Sequence, residues 1–352
     1  MHTSAQVFPP AHLFEQAKQD FAAGDFESAV RRALEVDRLL AERVKVTSYD
    51  PVDAPLYSII VVTYRDTPDV REAFARLAPY SSNPSFEVVV VNNGNPAAED
   101  LSASLFSHYK MVDVGFNYGC SGARNLGART ARGEFIIFVD DDGFVDEGAI
   151  ENLIDVIKKH NAVMVRGRLV PKSQTGISAK HYDLGNDIIS AGPNAEGFLI
   201  CRRDEYNKHG GFDTLLAGRE GWALCSKMYP FHGPDAFLYA PQATIRHDYA
   251  SNVKKKIEKT TRFKANNSYL SEYYPLVISL RLSFKNPEVA GAKKITELQE
   301  KVTNLQQAYQ QSQQAYQQSQ RACREMAAST SWRITAPLRT IEGLLRASPR
   351  KK

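Results

Sequence analysis

Three stretches of this chain are continuous runs of apolar, largely β-branched residues, and each stops at a polar cluster. YSIIVV (57–62) runs into TYRD, FEVVVV (86–91) into NNGN, and FIIFV (135–139) into DDDG. Runs of this composition suit central strands covered on both faces. Helical stretches at about 68–79 and 119–131 lie between and after them, which gives the βαβ rhythm of a parallel sheet and an α/β fold. In such sheets ligands gather at the carboxyl ends of the strands, so all three polar clusters can serve one site.

The third cluster raises the sharpest chemical question. Asp140, Asp141 and Asp142 follow the strand directly, and like charges so close raise one another's pKa unless a positive group sits among them. A hard divalent cation, Mn2+ or Mg2+, would supply it, and could in turn neutralise a diphosphate leaving group. An acidic loop beside a helix N-terminus would account for Asp146 and Glu147 but not for three carboxylates at a strand end. FIIFVDDDG also satisfies the strand-then-DxDG pattern of haloacid-dehalogenase-type phosphatases, with Asp140 as nucleophile and Asp142 as acid. That reading leaves GARNLG and the two earlier clusters without a role.

The order SIIVVTYRD, EVVVVNNGNP, GFNYGCSGARNLGARTARGEFIIFVDDDG, GGFDTLLAGREGWAL and IRHDYA resembles the GT-A-fold family 2 glycosyltransferases. Within that family it is most similar to rhamnosyltransferase-like enzymes of bacterial surface polysaccharides, such as O-antigen or capsule. The resemblance covers about residues 55–270 and implies a Rossmann-like, mostly parallel GT-A domain. It also implies inverting transfer of a sugar from a nucleotide-sugar donor to a hydroxyl of a glycan or lipid-linked glycan acceptor. By position it implies that Tyr64, Asn93, Arg124 and Asp141 bind the donor, with Tyr64 against the base and Asp141 at the ribose. Asp140, Asp142 and the late His247 would hold the Mn2+ or Mg2+. Asn93 stands where uridine-using members carry an Asp, which leaves a thymidine donor open.

A second departure concerns the general base. Where the family shows Glu-Asp and a further acid after the GGFD loop, this chain reads REGWALC, so Gly221 and Ala223 replace two acids and Glu220 alone remains. An acid in a partly dry cleft can have its pKa raised toward the task of taking the acceptor proton, which makes Glu220 the candidate base. A surface ion pair with Arg219 or Lys227 is the structural alternative, and Asp213 and Asp248 are the next candidates. The loss of those acids, taken with the coiled coil described below, also admits a scaffold that keeps the fold without turnover.

The flanks are of a different kind. Residues 1–50 contain an expected helical hairpin, AKQDFAAGDFESA, that resembles a single tetratricopeptide-type unit and must bury its apolar face on a neighbour. The catalytic domain is expected over 51–275. Over 276–328, QQAYQQS repeats at 306–312 and 313–319 within a heptad frame through Ile295, Leu298, Val302, Leu305, Tyr309 and Tyr316, which predicts a coiled coil and a homo-oligomer. Ser312 and Ser319 fall in that frame, so a Gln-rich tether competes. In 329–352, Ile334, Leu338, Ile341 and Leu345 form an apolar stripe flanked by arginines and lysines, as expected of a helix lying on an anionic membrane surface.

Composition limits the remaining classes. Of 352 residues 43% are hydrophobic, enough for a real core, and a net charge of +4 is too small to indicate nucleic acid. The four cysteines show no CxxC spacing, which disfavours a structural zinc site and a disulfide framework alike and fits a reducing cytoplasm. No basic-then-apolar leader and no apolar run near ~18 residues appears, so the expected location is cytoplasmic, with attachment to the inner face of the membrane as the tail's contribution.

Overall fold

The computed structural model describes residues 9–250, 252–277, 280 and 284. In chain order it opens with α1 (Pro9–Ala23), α2 (Phe26–Arg43), β1 (Lys45–Tyr49), β2 (Tyr57–Thr63), α3 (Pro68–Ser81) and β3 (Phe86–Asn92). There follow α4 (Ala98–Leu105), β4 (Tyr109–Asp113), α5 (Gly119–Thr130), β5 (Phe135–Asp140), β6 (Phe144–Val145), α6 (Ala149–Lys159) and β7 (Met164–Val170). The remainder is β8 (Ile189–Ser190), β9 (Phe198–Arg202), α7 (Arg203–Lys208), α8 (Glu220–His232), β10 (Phe237–Arg246) and α9 (Val253–Tyr273).

One mixed sheet collects the strands in the order β1-β4-β3-β2-β5-β9-β7-β10-β6, with β8 on β10. Its centre is parallel: β3 and β5 flank β2, and β4 extends β3. The register sets Thr63 beside Asn92 and Val62 beside Asp140, so the polar clusters at the ends of β2, β3 and β5 meet at one edge as the sequence suggests. Beyond the centre the sheet is mixed: β7 and β10 pair in parallel, whereas β9 runs antiparallel to both β5 and β7 and β1 runs antiparallel to β4. These central strands are buried throughout, with Ile59, Val61, Val88, Val90, Ile137 and Ile200 at 0% exposure, as continuous apolar runs require.

β4 escaped the apolar-run test because Lys110 lies in it. Lys110 is buried across from Glu87, its Nζ 3.2 Å from Oε2, and Glu87 also accepts from the Ser58 hydroxyl at 2.6 Å. The α1–α2 pair packs its aromatic face on the domain. Phe14 meets Tyr118 edge-on at 4.8 Å, and Phe21 and Phe26 meet Tyr269 of α9 at 5.0 and 5.2 Å. Packing also continues past residue 275, where Val277 and Leu280 are buried and Phe284 touches Trp222 at 5.8 Å. The coiled-coil and membrane-tail readings otherwise fall outside the described residues.

Candidate active site

The NNGN cluster closes on itself at the end of β3. Asn92 Oδ1 accepts from the amides of Gly94 and Asn95 at 3.1 and 2.8 Å, and Asn95 Nδ2 donates to Thr63 Oγ1 at 2.8 Å. Thr63 and the Tyr64 backbone in turn hydrogen-bond Asp141. The ring of Tyr64, 45% exposed beside Gly94, is open to a ligand.

Asn93, expected at the base, is held by the chain itself at the end of β3. It is buried, its Oδ1 accepts from the Tyr118 amide at 2.8 Å, and its Nδ2 donates to Asn117 Oδ1 at 3.1 Å and Gly119 O at 3.3 Å. With both polar atoms engaged inside the chain, Asn93 braces the 115–119 loop.

GARN and GGFD, far apart in sequence, form one unit. Asn125 Nδ2 donates to Phe212 O at 2.8 Å and Asn125 Oδ1 accepts from the Phe212 amide at 3.0 Å. A Cβ on Gly211, whose φ is +65°, would come within 2.4 Å of that Oδ1, so the turn needs glycine there. The chain then passes Arg219, at a left-handed φ of 71°, and delivers Glu220 as the first residue of α8.

Arg124 joins the two halves. Buried over the Phe138 and Phe212 rings, its guanidinium reaches Asp140 Oδ1 at 2.5 Å and Glu220 Oε1 at 3.7 Å. Its contacts are therefore with the two carboxylates. Among the described residues the cation paired with Glu220 is Arg124, while Arg219 binds Asn267 and Lys227 donates to Gly211 O at 2.8 Å. Glu220 is buried, and its Oε2 lacks a hydrogen-bond partner among the described residues. Burial, then the charge of Glu196, push its pKa up to about 7 against the pull of Arg124. A carboxyl poised near neutrality and open at one oxygen can accept a proton.

Glu196 is the site residue that no sequence motif flagged. It lies on the loop entering β9, and its Oε1 accepts from the Gly221 amide at 2.9 Å. Its neighbour Gly197 packs so closely on Asp140 that a Cβ there would fall 1.8 Å from Oδ2. The loop thus spans from the DDD cluster to Glu220, an arrangement visible only once the antiparallel β9 returns beside β5.

Asp140, Asp142 and His247 converge. Their potential ligand atoms lie within 4.8 Å of one another, with His247 Nε2 at 3.1 Å from Asp142 Oδ1 and 3.7 Å from Asp140 Oδ2. Burial opposes a charged imidazole, but the two carboxylates outweigh it and raise the His247 pKa. Burial likewise opposes a charged Asp142, yet the hydrogen bond and charge of His247, with Lys172, hold its carboxyl down at about 2. Two carboxylates and one imidazole drawn together in this way fit a divalent ion. Asp141 is pushed up to about 7 by burial and by the charges of Asp142 and Asp140. The reserve bases are otherwise employed: Asp213 accepts from the Tyr269 and Tyr274 hydroxyls at 2.7 and 2.6 Å, and Asp248 accepts from the Lys172 amide at 3.2 Å.

Residues 58–218 match the family model for glycosyl transferase family 2. An uncharacterized glycosyltransferase of Haemophilus influenzae is 22% identical over 259 residues, which cover 64% of this chain and 86% of that protein. The uncharacterized glycosyltransferase EpsJ of Bacillus subtilis is 32% identical over 117 residues, covering 32% of this chain and 33% of its own length. Among solved structures, residues 1–349 of Staphylococcus aureus TarS align with a TM-score of 0.46 and 17% identity, covering 66% of this chain and 73% of that one.

Proposed function

Because this chain belongs to the family 2 glycosyltransferases, we propose that it moves a sugar from a nucleotide-sugar donor to a hydroxyl of a glycan or lipid-linked glycan, inverting the anomeric centre, in bacterial surface polysaccharide synthesis. The observation that carries this reading is the Arg124 bridge, 2.5 Å to Asp140 and 3.7 Å to Glu220, which joins the diphosphate end of the cleft to the proton-accepting end. Family membership overturns the dehalogenase-type phosphatase reading of Asp140 and Asp142.

In the proposed mechanism Tyr64 stacks on the base and Asp141 accepts from the ribose. Asp140, Asp142 and His247 would hold Mn2+ or Mg2+, which when bound supplies the positive charge that stabilises a departing nucleoside diphosphate. Lys259, which feels the charges of Asp140, Glu196 and Glu220, adds positive potential from α9. Glu220 takes the acceptor proton as the hydroxyl oxygen attacks the anomeric carbon, and Arg124 keeps its carboxylate oriented. No helix among the described residues is long and apolar enough to cross a membrane, so the tail at 329–352 is the proposed contact with a lipid-linked acceptor and 276–328 the proposed oligomerisation segment.

A panel of nucleotide sugars scored by thermal shift with and without Mn2+ tests the donor assignment, because saturation at 100 times Kd adds ~2.7 kcal/mol of stability. Asp142→Ala should abolish the Mn2+-dependent part and cut transfer by orders of magnitude with the fold retained. Full transfer in the presence of EDTA would remove the metal from the mechanism. Absence of both donor hydrolysis and transfer would favour the scaffold reading.

A further inference from the structure

A second convergence of metal-ligating side chains lies away from the cleft. Glu205 in α7, His209 one turn later, and His232 at the last residue of α8 bring their potential ligand atoms within 4.8 Å of one another. Both imidazoles turn the same atom to the same oxygen: His232 Nε2 lies 2.8 Å and His209 Nε2 3.4 Å from Glu205 Oε2. The other carboxylate oxygen, Oε1, faces Lys208 Nζ at 3.5 Å.

Hydrogen bonding alone does not satisfy this arrangement. The His209 side chain is 9% exposed, and its Nε2 is buried without a hydrogen-bond partner among the described residues. An orphaned buried polar atom costs about 1–3 kcal/mol and calls for an explanation. Ligands on a tetrahedral ion with ~2.0 Å bonds stand ~3.3 Å apart, close to the 2.8 and 3.4 Å that separate the two imidazole nitrogens from Glu205 Oε2.

We propose that Glu205, His209 and His232 form a second metal site that takes Zn2+ through two imidazole nitrogens and one carboxylate oxygen, with the fourth position left to water. The ligand chemistry separates it from the Asp140, Asp142 and His247 set, which offers two carboxylates and one imidazole. Its location gives it a purpose. His209 directly precedes the Gly210–Gly211 turn that Asn125 clamps, and His232 ends the helix whose first residue is Glu220. A zinc ion here would tie α7 to the far end of α8 and so steady the loop that delivers Glu220. Lys208 is 60% exposed and free to swing off Glu205 when the ion enters.

The test uses the full chain carrying Asp142→Ala, which weakens the cleft set. Calorimetric titration should find one equivalent of Zn2+, and His209→Gln or His232→Gln added to that background should weaken binding by more than ~100-fold, beyond the usual effect of an outer-shell change. Circular dichroism checks that each variant is folded; His232, partly exposed, tolerates replacement if His209 does not. X-ray absorption of the zinc-loaded unaltered chain provides a reading independent of folding, two imidazoles at this site against one in the cleft. Unchanged zinc affinity in both variants, or a single imidazole in the absorption spectrum, would overturn the proposal.

Discussion

Gly221 and Glu196 share one small space. The Gly221 amide donates to Glu196 Oε1 at 2.9 Å, while a Cβ on residue 221 would stand 2.7 Å from that oxygen and 1.8 Å from the Pro193 carbonyl oxygen. The missing acid of REGWALC therefore has a steric cause: no side chain fits at 221, and a carboxylate from the preceding loop lies against that position. Gly221→Ala should destabilise the protein by ~1–3 kcal/mol despite the better helix propensity of alanine, because the clash is with backbone. The urea midpoint measures it, and an unchanged or raised midpoint would contradict the packing described.

Glu220→Gln preserves shape but cannot accept a proton, so kcat should fall by ~100-fold or more with little change in donor KM. The pH dependence has a definite sign. With its pKa pushed up to about 7, Glu220 is the competent base only above that pH, so kcat at saturating donor should rise as pH increases through 7. The variant should lose this limb in kcat, and a limb that persists there would move the base elsewhere.

The buried pair between β3 and β4 makes a stability prediction. Burial opposes the charged form of Glu87, but Ser58, the Arg132 amide and Lys110 outweigh it and depress its pKa. A depressed carboxyl stabilises the fold above its unfolded value of ~4.3, and that contribution is lost as pH falls through the lower folded value. Lys110→Met should cost ~1–3 kcal/mol at neutral pH by leaving the buried Glu87 only Arg132, 3.5 Å from its Oε2, as a cation. Denaturant titration at pH 7 and pH 3 should find a smaller cost at the lower pH.

The tail prediction concerns residues outside the described part. Each basic residue near an anionic surface contributes ~1 kcal/mol, so sedimentation of the full chain with anionic vesicles should weaken as salt rises. A chain ending at Ala328 should stay in solution, and equal partitioning of both would rule the tail out as the anchor.

The parallel centre was legible because Ile59 to Val61, Val88 to Val91 and Ile136 to Val139 are buried and carry no polar interruption. The DDD cluster was legible for a related reason, as three carboxylates at a strand end have few uses without a cation. β4 was not, since Lys110 breaks its apolar pattern and is tolerated through Glu87 on the next strand and the Thr130 carbonyl oxygen. β1 was hidden by alternating exposure at the sheet edge, where Lys45 to Tyr49 carry little apolar signal. Glu196 and the internal role of Asn93 depend on contacts between segments 25 residues apart, which no local spacing encodes.

The two N-terminal helices change where this enzyme begins. Asp37 of α2 accepts from the Tyr118 hydroxyl at 2.9 Å, and Tyr118 heads the same loop that Asn93 holds beside the Tyr64 ring. Phe14 covers the other side of Tyr118, and Gly119 sits 3.6 Å from the Phe14 ring when given a Cβ. The segment that carries the family likeness, 58–218, excludes these helices as well as Glu220 and His247. A protein cut to that likeness would strip Tyr118 of both the Phe14 ring and the Asp37 carboxylate, so the boundary of the working unit is drawn by side-chain contact and not by ancestry.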